Sequence, residues 1–277
     1  MASELADASA MSRGRRRPTA AARRPPRAVA APAQPHASIS AKLARGVRVQ
    51  AIDALRGAAI CLMLIYHACF DLRYYRVIAA DFEHGAFWLG FRALIVTSFL
   101  LLVGVSLVLA GEAGLSRRRF WRRVGIIAAC ALAASVGSYL VFPRTFIYFG
   151  ILHCIAVASV LAWPLWQRPW LALSLGAAVV IAGLTVALPA FDQRALSWIG
   201  FTTIKPPTED FVPLFPWAGA VLIGVATGHL MMGERFAAWR RWISAPRWLT
   251  WLGRHSLVIY MIHQPVLLGL LWVIYGR

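Results

Sequence analysis

Four ionisable side chains lie within one apolar segment of this chain, residues 52–71, with the sequence IDALRGAAICLMLIYHACFD. They are Asp53, Arg56, His67 and Asp71, and the segment is long enough to cross a bilayer as a helix. Because a charged group inside a membrane is costly, such residues usually face a protected interior and mark a functional path. The segment therefore predicts a site of chemistry or of transport.

The spacing of these residues places them on one side of a helix. At about 100° per residue, Arg56 and His67 return to within about 20° of one another, and Asp53 lies within about 40° of His67. Asp71 follows His67 by one turn. The four side chains predict a polar stripe about 25 Å long, from one membrane surface to the other.

His67 and Asp71 are the first candidates for catalysis. A carboxylate one turn from an imidazole can select the imidazole tautomer and raise its basicity, as a general base requires. The alternative is a His–Asp pair that only holds helices together. His84, in the connection DFEHGAFWLG, is a second catalytic candidate because it precedes the next apolar segment and can fold over the mouth near His67.

Two later segments carry further candidates for lining a substrate site. FIYFGILHCIA would place His153 about two turns below the outer surface, at a depth similar to that of His67. In GRHSLVIYMIHQP, the polar residues recur at helical spacing and share a face; they are Ser256, Tyr260, His263 and the adjacent Gln264. Interhelical hydrogen bonding explains these residues equally well, since membrane bundles use it routinely.

The composition indicates a membrane protein. Hydrophobic residues make up 60% of the chain and charged residues only 14%. A net charge of +18 would suggest nucleic acid in a soluble chain, but these arginines lie in the first 48 residues and in short connections, so they indicate topology and no nucleic-acid partner. The four cysteines lie in apolar runs without a CxxC pair, so no metal site is expected.

The predicted organisation is a disordered basic cytoplasmic tail, residues 1–48, followed by a transmembrane domain, residues 49–277. The fold class is an all-α polytopic bundle of about seven spanning helices. These are expected near 53–71, 87–110, 123–142, 147–165, 170–189, 212–232 and 255–275. Arginine is concentrated in alternate connections, which predicts a cytoplasmic N-terminus and an outer position for His67 and Asp71.

Four ordered motifs together resemble a known family. They are RVQAIDALRGAAICLMLIYHACFDL, FIYFGILHCIA, FVPLFPWAGAVLIG and LGRHSLVIYMIHQPVL. Over about residues 48–275 the chain resembles the bacterial branch of the heparan-alpha-glucosaminide N-acetyltransferase catalytic-domain family. The first and last motifs resemble, more distantly, the membrane O-acyltransferases that modify surface polysaccharides.

The resemblance implies acyl transfer across a bilayer. The lysosomal member of the family moves acetyl groups from cytosolic acetyl-coenzyme A to a glucosamine amine on the lumenal side. Its catalytic histidine lies in the first lumenal loop, where His84 is the nearest match, whereas the polysaccharide acyltransferases favour His67. Arg56, with Asp53, is expected near the phosphates of the acyl donor or as a structural clamp.

The predicted function is therefore an acetyl-coenzyme A-dependent acyltransferase of the bacterial inner membrane. His67, with Asp71, would deprotonate the acceptor or carry the acyl group transiently. The expected partners are membrane lipid, acyl-coenzyme A as co-substrate rather than a tightly bound cofactor, and a glycan or glycolipid acceptor. The oligomeric state is left open. The alternatives are a proton-coupled transporter and a non-catalytic partner of an envelope-assembly complex.

Overall fold

A computed structural model describes residues 35–233 and 245–276, with side chains from residue 50 onward. In this part of the chain the structure is helical without strands, which confirms the predicted all-α class. The helices are α1 Pro35–Tyr74, α2 Ala86–Glu112, α3 Arg117–Val141, α4 Ile151–Ala162, α5 Pro169–Thr185, α6 Arg194–Ser197, α7 Leu214–Met232, α8 Arg247–Arg254 and α9 Ser256–Tyr275. Short 3-10 helices cover Trp163–Leu165 and Pro189–Asp192.

Five helical segments among the described residues are long and apolar enough to cross a membrane. They are Gln50–Tyr74, Ala86–Glu112, Arg117–Val141, Leu214–Met232 and Ser256–Tyr275, each close to a predicted span. The apolar helices Ile151–Leu165 and Pro169–Thr185 are shorter than a typical span. The count of seven spans therefore stays a prediction.

The predicted tail, residues 1–48, lies largely outside the described residues. Helix α1 begins at Pro35, and its apolar portion begins at Gln50. The division of the chain at residue 48 stays a prediction.

Helix α4 begins later than the sequence predicted. Residues just before it are extended, and Phe149 forms an isolated bridge with Phe211, in which the Val212 amide donates to the Phe149 carbonyl at 3.2 Å. The helix therefore begins at Ile151 instead of near residue 147, and His153 lies in its first turn. The predicted depth of His153, about two turns below the outer surface, stays a prediction.

The connections between helices gather at two opposite ends of the bundle. At the first, which we call the basic end, residues 111–123, 163–168 and 247–254 meet. The Phe120 and Trp163 rings stack there, with centroids 4.1 Å apart, and His229 Nε2 lies 2.6 Å from the Trp166 carbonyl. These are connections that arginine counting assigns to the cytoplasmic side.

At the second, which we call the loop end, residues 75–85, 142–150 and 186–213 meet. The Glu209 amide donates to the Thr145 carbonyl at 2.9 Å, and Arg92 of α2 donates to the Phe211 carbonyl at 2.6 Å. The rings of Tyr75 and Tyr275 lie 6.2 Å apart at the same end. The grouping is the one that the alternating arginine pattern predicts, and the side of the membrane that each end faces stays a prediction.

The core is formed mainly by α2, α4 and α7, with α5 packed against α7. Gly176 of α5 and Gly219 of α7 face one another so closely that a side chain on either would meet the other helix's backbone. Small residues permit this approach of two helices within a membrane. Helices α3 and α9 bury little of their surface and present apolar faces outward, as expected next to lipid.

Candidate functional site

A cavity of about 450 Å³ opens at the basic end. Its walls are apolar side chains of α2, α3 and α4, among them Phe99, Ile127 and Ile155. Four arginines lie at its rim: Arg56, Arg119, Arg122 and Arg123. Ser256 and Tyr260 of α9 complete its lining. A thin, mostly apolar ligand that carries a strongly anionic head fits this distribution of charge.

The Arg56 side chain is held from two sides. Its Nη1 donates to Asp53 Oδ1 at 2.9 Å, and its Nη2 donates to the hydroxyl of Ser106 on α2. Arg254 of α8 donates from Nε to the other carboxylate oxygen of Asp53 at 3.2 Å. Asp53 is only 6% exposed and does not line the cavity. Asp53 thus orients Arg56, which presents its guanidinium at the rim.

The opposite half of the predicted stripe meets α9 in a buried polar cluster near the loop end. We define this polar cluster as His67, Asp71, His263 and Gln264. The rings of His67 and His263 lie edge to face with centroids 4.8 Å apart, and Gln264 Nε2 donates to Asp71 Oδ1 at 3.4 Å. His67 and Asp71 of the stripe therefore contact α9, a helix that is distant in sequence.

Four buried atoms of the polar cluster have no hydrogen-bond partner among the described residues. They are His67 Nδ1, Asp71 Oδ2, His263 Nε2 and Gln264 Oε1. Buried polar atoms are nearly always paired in folded proteins because leaving them unpaired costs free energy. A polar ligand or buried water would pair with these four atoms.

Tyr260 joins the cavity to the polar cluster. Its ring lines the cavity and lies 5.5 Å from the His263 ring, centroid to centroid. Because Ser256, Tyr260 and His263 follow one another at helical spacing, one face of α9 leads from the cavity into the polar cluster. Ser256, Tyr260 and His263 therefore share one face of α9, as the sequence predicted.

Asp71 does not hydrogen-bond to His67, contrary to the arrangement expected from their spacing. Its carboxylate, 2% exposed, turns to Gln264 of α9. One helical turn brings the two residues of α1 into proximity, but the neighbouring helix supplied a better donor for the carboxylate.

His153 lies outside the polar cluster and outside the cavity lining. Its Nδ1 accepts a hydrogen bond from the Gly150 amide at 3.2 Å, so its Nε2 is the donor towards the Ser135 hydroxyl at 3.3 Å. Both ring nitrogens are occupied by structural bonds, and the structure does not bring His153 into contact with His67.

His84 lies on the surface of the connection between α1 and α2. Its side chain is 84% exposed, and its amide donates to Asp81 Oδ1 at 2.9 Å. This bond, together with a second from the Glu83 amide, lowers the pKa of Asp81. The structure places no contact between His84 and the polar cluster.

Asp210 is a residue of this region that the sequence analysis missed. Its Oδ2 accepts from the Ile151 amide at 2.8 Å, at the N-terminus of α4, and lies 3.5 Å from the Tyr260 hydroxyl. A carboxylate is favoured at a helix N-terminus by the exposed amides and the helix dipole. The signal was available, since Asp210 immediately precedes the FVPLFPWAGAVLIG motif.

A comparison with protein families matches residues 48–265 to the family described as heparan-alpha-glucosaminide N-acetyltransferase, catalytic. The match covers the greater part of the chain and every residue of the cavity, the polar cluster and the Asp53 network. The chain belongs to this family. No curated protein and no solved structure matches it significantly.

Membership of the heparan-alpha-glucosaminide N-acetyltransferase catalytic family indicates a membrane acetyltransferase type of function. The five apolar helices agree with a membrane location. The family region contains both the arginine-rimmed cavity and the polar cluster, so both features belong to the part of the chain that defines the family.

Proposed function

We propose that this protein transfers an acetyl or other acyl group from cytoplasmic acyl-coenzyme A to a hydroxyl or amine of an envelope sugar, across a bacterial inner membrane. The observation that carries the proposal is that Tyr260 both lines the arginine-rimmed cavity and contacts His263 of the buried polar cluster, whose four orphan atoms have no partner among the described residues. A donor and an acceptor would meet at this point from opposite sides.

The donor is proposed to bind at the basic end. The phosphates of acyl-coenzyme A would pair with Arg56 and the arginines of α3, since guanidinium groups bind phosphate through charge-assisted hydrogen bonds. The apolar walls would hold the arm that carries the thioester. Acyl-coenzyme A is a co-substrate in this scheme and leaves as free coenzyme A.

The acceptor is proposed to enter from the loop end and bind at the polar cluster. An imidazole there would take the proton of the acceptor hydroxyl or amine as it attacks the acyl carbon. His67 would contact the reacting groups, as the base or as a transient acyl carrier, and Asp71 would bind the acceptor beside it. His84 remains the second sequence-based candidate for catalysis.

The first experiment measures transfer of a radiolabelled acetyl group from acetyl-coenzyme A to glucosamine and to bacterial envelope glycans by the purified full chain. We expect labelled product with wild-type protein, and at least a tenfold weaker Kd for acetyl-coenzyme A in Arg56→Ala. We also expect His67→Ala to abolish transfer while coenzyme A binding persists.

Two results would reject the acyltransferase. In the first, no acceptor becomes labelled, and Arg56→Ala does not weaken the binding of acetyl-coenzyme A. The second is proton-coupled uptake of a solute by reconstituted vesicles that Asp71→Asn abolishes, which would establish the transporter alternative. A chain that has neither activity would be assigned to the non-catalytic alternative.

A matched pair of arginines sharpens the test of the donor site. Arg122 lines the cavity, whereas Arg118 lies on the same basic segment without lining it. Arg122→Gln is expected to raise the Kd for acetyl-coenzyme A, and Arg118→Gln to leave it within about twofold, because a general attraction by surface charge is weak and screened by salt. Equal effects of the two substitutions would assign the binding to net charge instead of to the cavity.

A further inference from the structure

The two ring nitrogens of His263 have different surroundings. Nδ1 lies 2.6 Å from the main-chain carbonyl oxygen of Tyr260. A carbonyl oxygen can only accept, so Nδ1 carries the hydrogen. In a neutral imidazole the other nitrogen, Nε2, then holds the lone pair and is available to take a proton.

His263 Nε2 lies inside the polar cluster, next to His67 and Tyr260. The residue is 7% exposed, and Nε2 is buried without a partner among the described residues. The His67 ring lies 4.8 Å away, and the Tyr260 ring, which bounds the cavity, lies 5.5 Å away. His263 is thus the imidazole of the polar cluster that contacts Tyr260, a residue of the cavity lining.

The His67 ring has no hydrogen bond that selects its tautomer among the described residues, in contrast to His263. Within the described residues no hydrogen bond is made by the His67 ring, and the Asp71 carboxylate that could have oriented it is bonded to Gln264. Of the two facing histidines, only His263 has its tautomer selected by a neighbouring group. The choice of tautomer matters because a general base needs its lone pair, not its N–H, directed at the substrate.

We infer that His263 is the general base of the proposed acyl transfer and that its Nε2 accepts the proton of the sugar hydroxyl or amine. The inference rests on the proposed function, and it assigns the base to a residue that the sequence analysis placed only along the substrate path. His67, directly opposite, then contacts the acyl group or the acceptor.

The step balances without a further reactant. The acceptor oxygen or nitrogen forms a bond to the acyl carbon while its proton moves to His263 Nε2. The carbon–sulfur bond breaks, and its electron pair leaves with the coenzyme A sulfur. The imidazolium then passes the proton to the thiolate, which is favourable because a thiol has an ordinary pKa of about 8.5 and an imidazolium about 6.5.

The decisive substitution is His263→Asn. The asparagine amide can occupy the position of Nδ1 and still donate to the Tyr260 carbonyl, but it cannot accept a proton at neutral pH. We expect kcat for transfer from acetyl-coenzyme A to fall by about 100-fold or more. The Kd for acetyl-coenzyme A should stay within about twofold, and the Tm within about 2 °C.

His255→Asn is the matched control. The Nδ1 of His255 lies 2.9 Å from the Trp251 carbonyl, so it makes the same kind of bond to the preceding helical turn, but its side chain is exposed at the basic end. Transfer activity should be unchanged in this variant. If His263→Asn lowers the Tm, His263→Gln, which fills the Nε2 end of the site, replaces it under the same criteria.

The dependence of kcat/KM on pH separates a base from a structural histidine. Wild-type protein should lose activity as pH falls and the base becomes protonated, and the His263 variants should lose this dependence. Retention of transfer to within about threefold in His263→Asn, or of the same pH dependence in its residual activity, would overturn the inference. If His67→Asn abolishes the pH dependence instead, His67 is the base. These results do not contradict the proposed function. Absence of transfer by the wild-type protein would contradict both the proposed function and the assignment of His263 as the base.

Discussion

The two ends of the polar stripe on α1 differ in how completely their polar atoms are paired. At the basic end, Asp53 accepts from both Arg56 and Arg254, and Arg56 also bonds to Ser106. Near the loop end, the polar cluster leaves four buried atoms without partners among the described residues. Asp53, Arg56, His67 and Asp71 all lie on α1, so the difference comes from the residues of α2, α8 and α9 that pack against them.

The contrast indicates that one end of the stripe contributes to stability and the other to function. A network in which buried Asp53 is paired with two arginines stabilises the arrangement of α1, α2 and α8. An incompletely paired cluster costs stability, and such costs are typical of sites kept for function. Loss of Asp53 or of its contact with α8 should therefore affect folding, and substitutions in the polar cluster should affect activity.

The largest expected effect is on stability at the contact between α8 and α1. A side chain at Gly253 would overlap the Asp53 carbonyl, so Gly253→Val would force the two helices apart. We expect a loss of about 3 kcal/mol or more, measured as a lower Tm in detergent. Gly269→Val is the control, because a side chain at Gly269 meets nothing within 4 Å. A similar Tm for the two variants would contradict this packing.

Removal of the central carboxylate tests the network itself. Asp53→Ala leaves Arg56 and Arg254 without their shared partner, which should cost about 3 kcal/mol because two charge-assisted hydrogen bonds to a buried carboxylate are lost. The comparison variant is Glu112→Ala, at the exposed end of α2, which should change stability by less than about 0.5 kcal/mol. If Asp53→Ala unfolds at the wild-type temperature, the network does not hold these helices.

The polar cluster should show the opposite pattern. Asp71→Asn is expected to reduce transfer about 100-fold, equivalent to about 2.7 kcal/mol in the activation free energy. Stability should be unchanged or higher, since a buried carboxylate oxygen without a partner is replaced by a neutral group. Transfer rates and thermal unfolding of the same preparation measure both. A large drop in Tm with normal transfer would place Asp71 in the architecture instead.

The smallest effect is expected at the cavity rim, where the arginines of α3 are exposed. Arg119→Gln should raise the KM for acetyl-coenzyme A about fivefold, or about 1 kcal/mol, without changing kcat. The effect should diminish as ionic strength rises, because exposed charges are screened. A change in kcat at constant KM would mean that Arg119 acts on the reaction instead of on donor binding.

The sequence analysis located the helices and the polar face of α1 because both depend on local periodicity. Five predicted spans have corresponding helices, and the shared face of Ser256, Tyr260 and His263 is present. It misplaced the start of α4, which is set by the bridge between Phe149 and Phe211. It also missed Asp210, whose contacts with α4 and α9 join residues far apart in the chain.

The sequence by itself determined the membrane character, the family and the residues that could react, since hydropathy, charge and motif order are properties of the chain. Only the tertiary structure decided how those residues pair. It turned Asp71 toward Gln264 instead of His67, placed His263 opposite His67 and occupied both nitrogens of His153. Hydrogen bonds between helices depend on distances and angles that residue spacing along one helix does not specify.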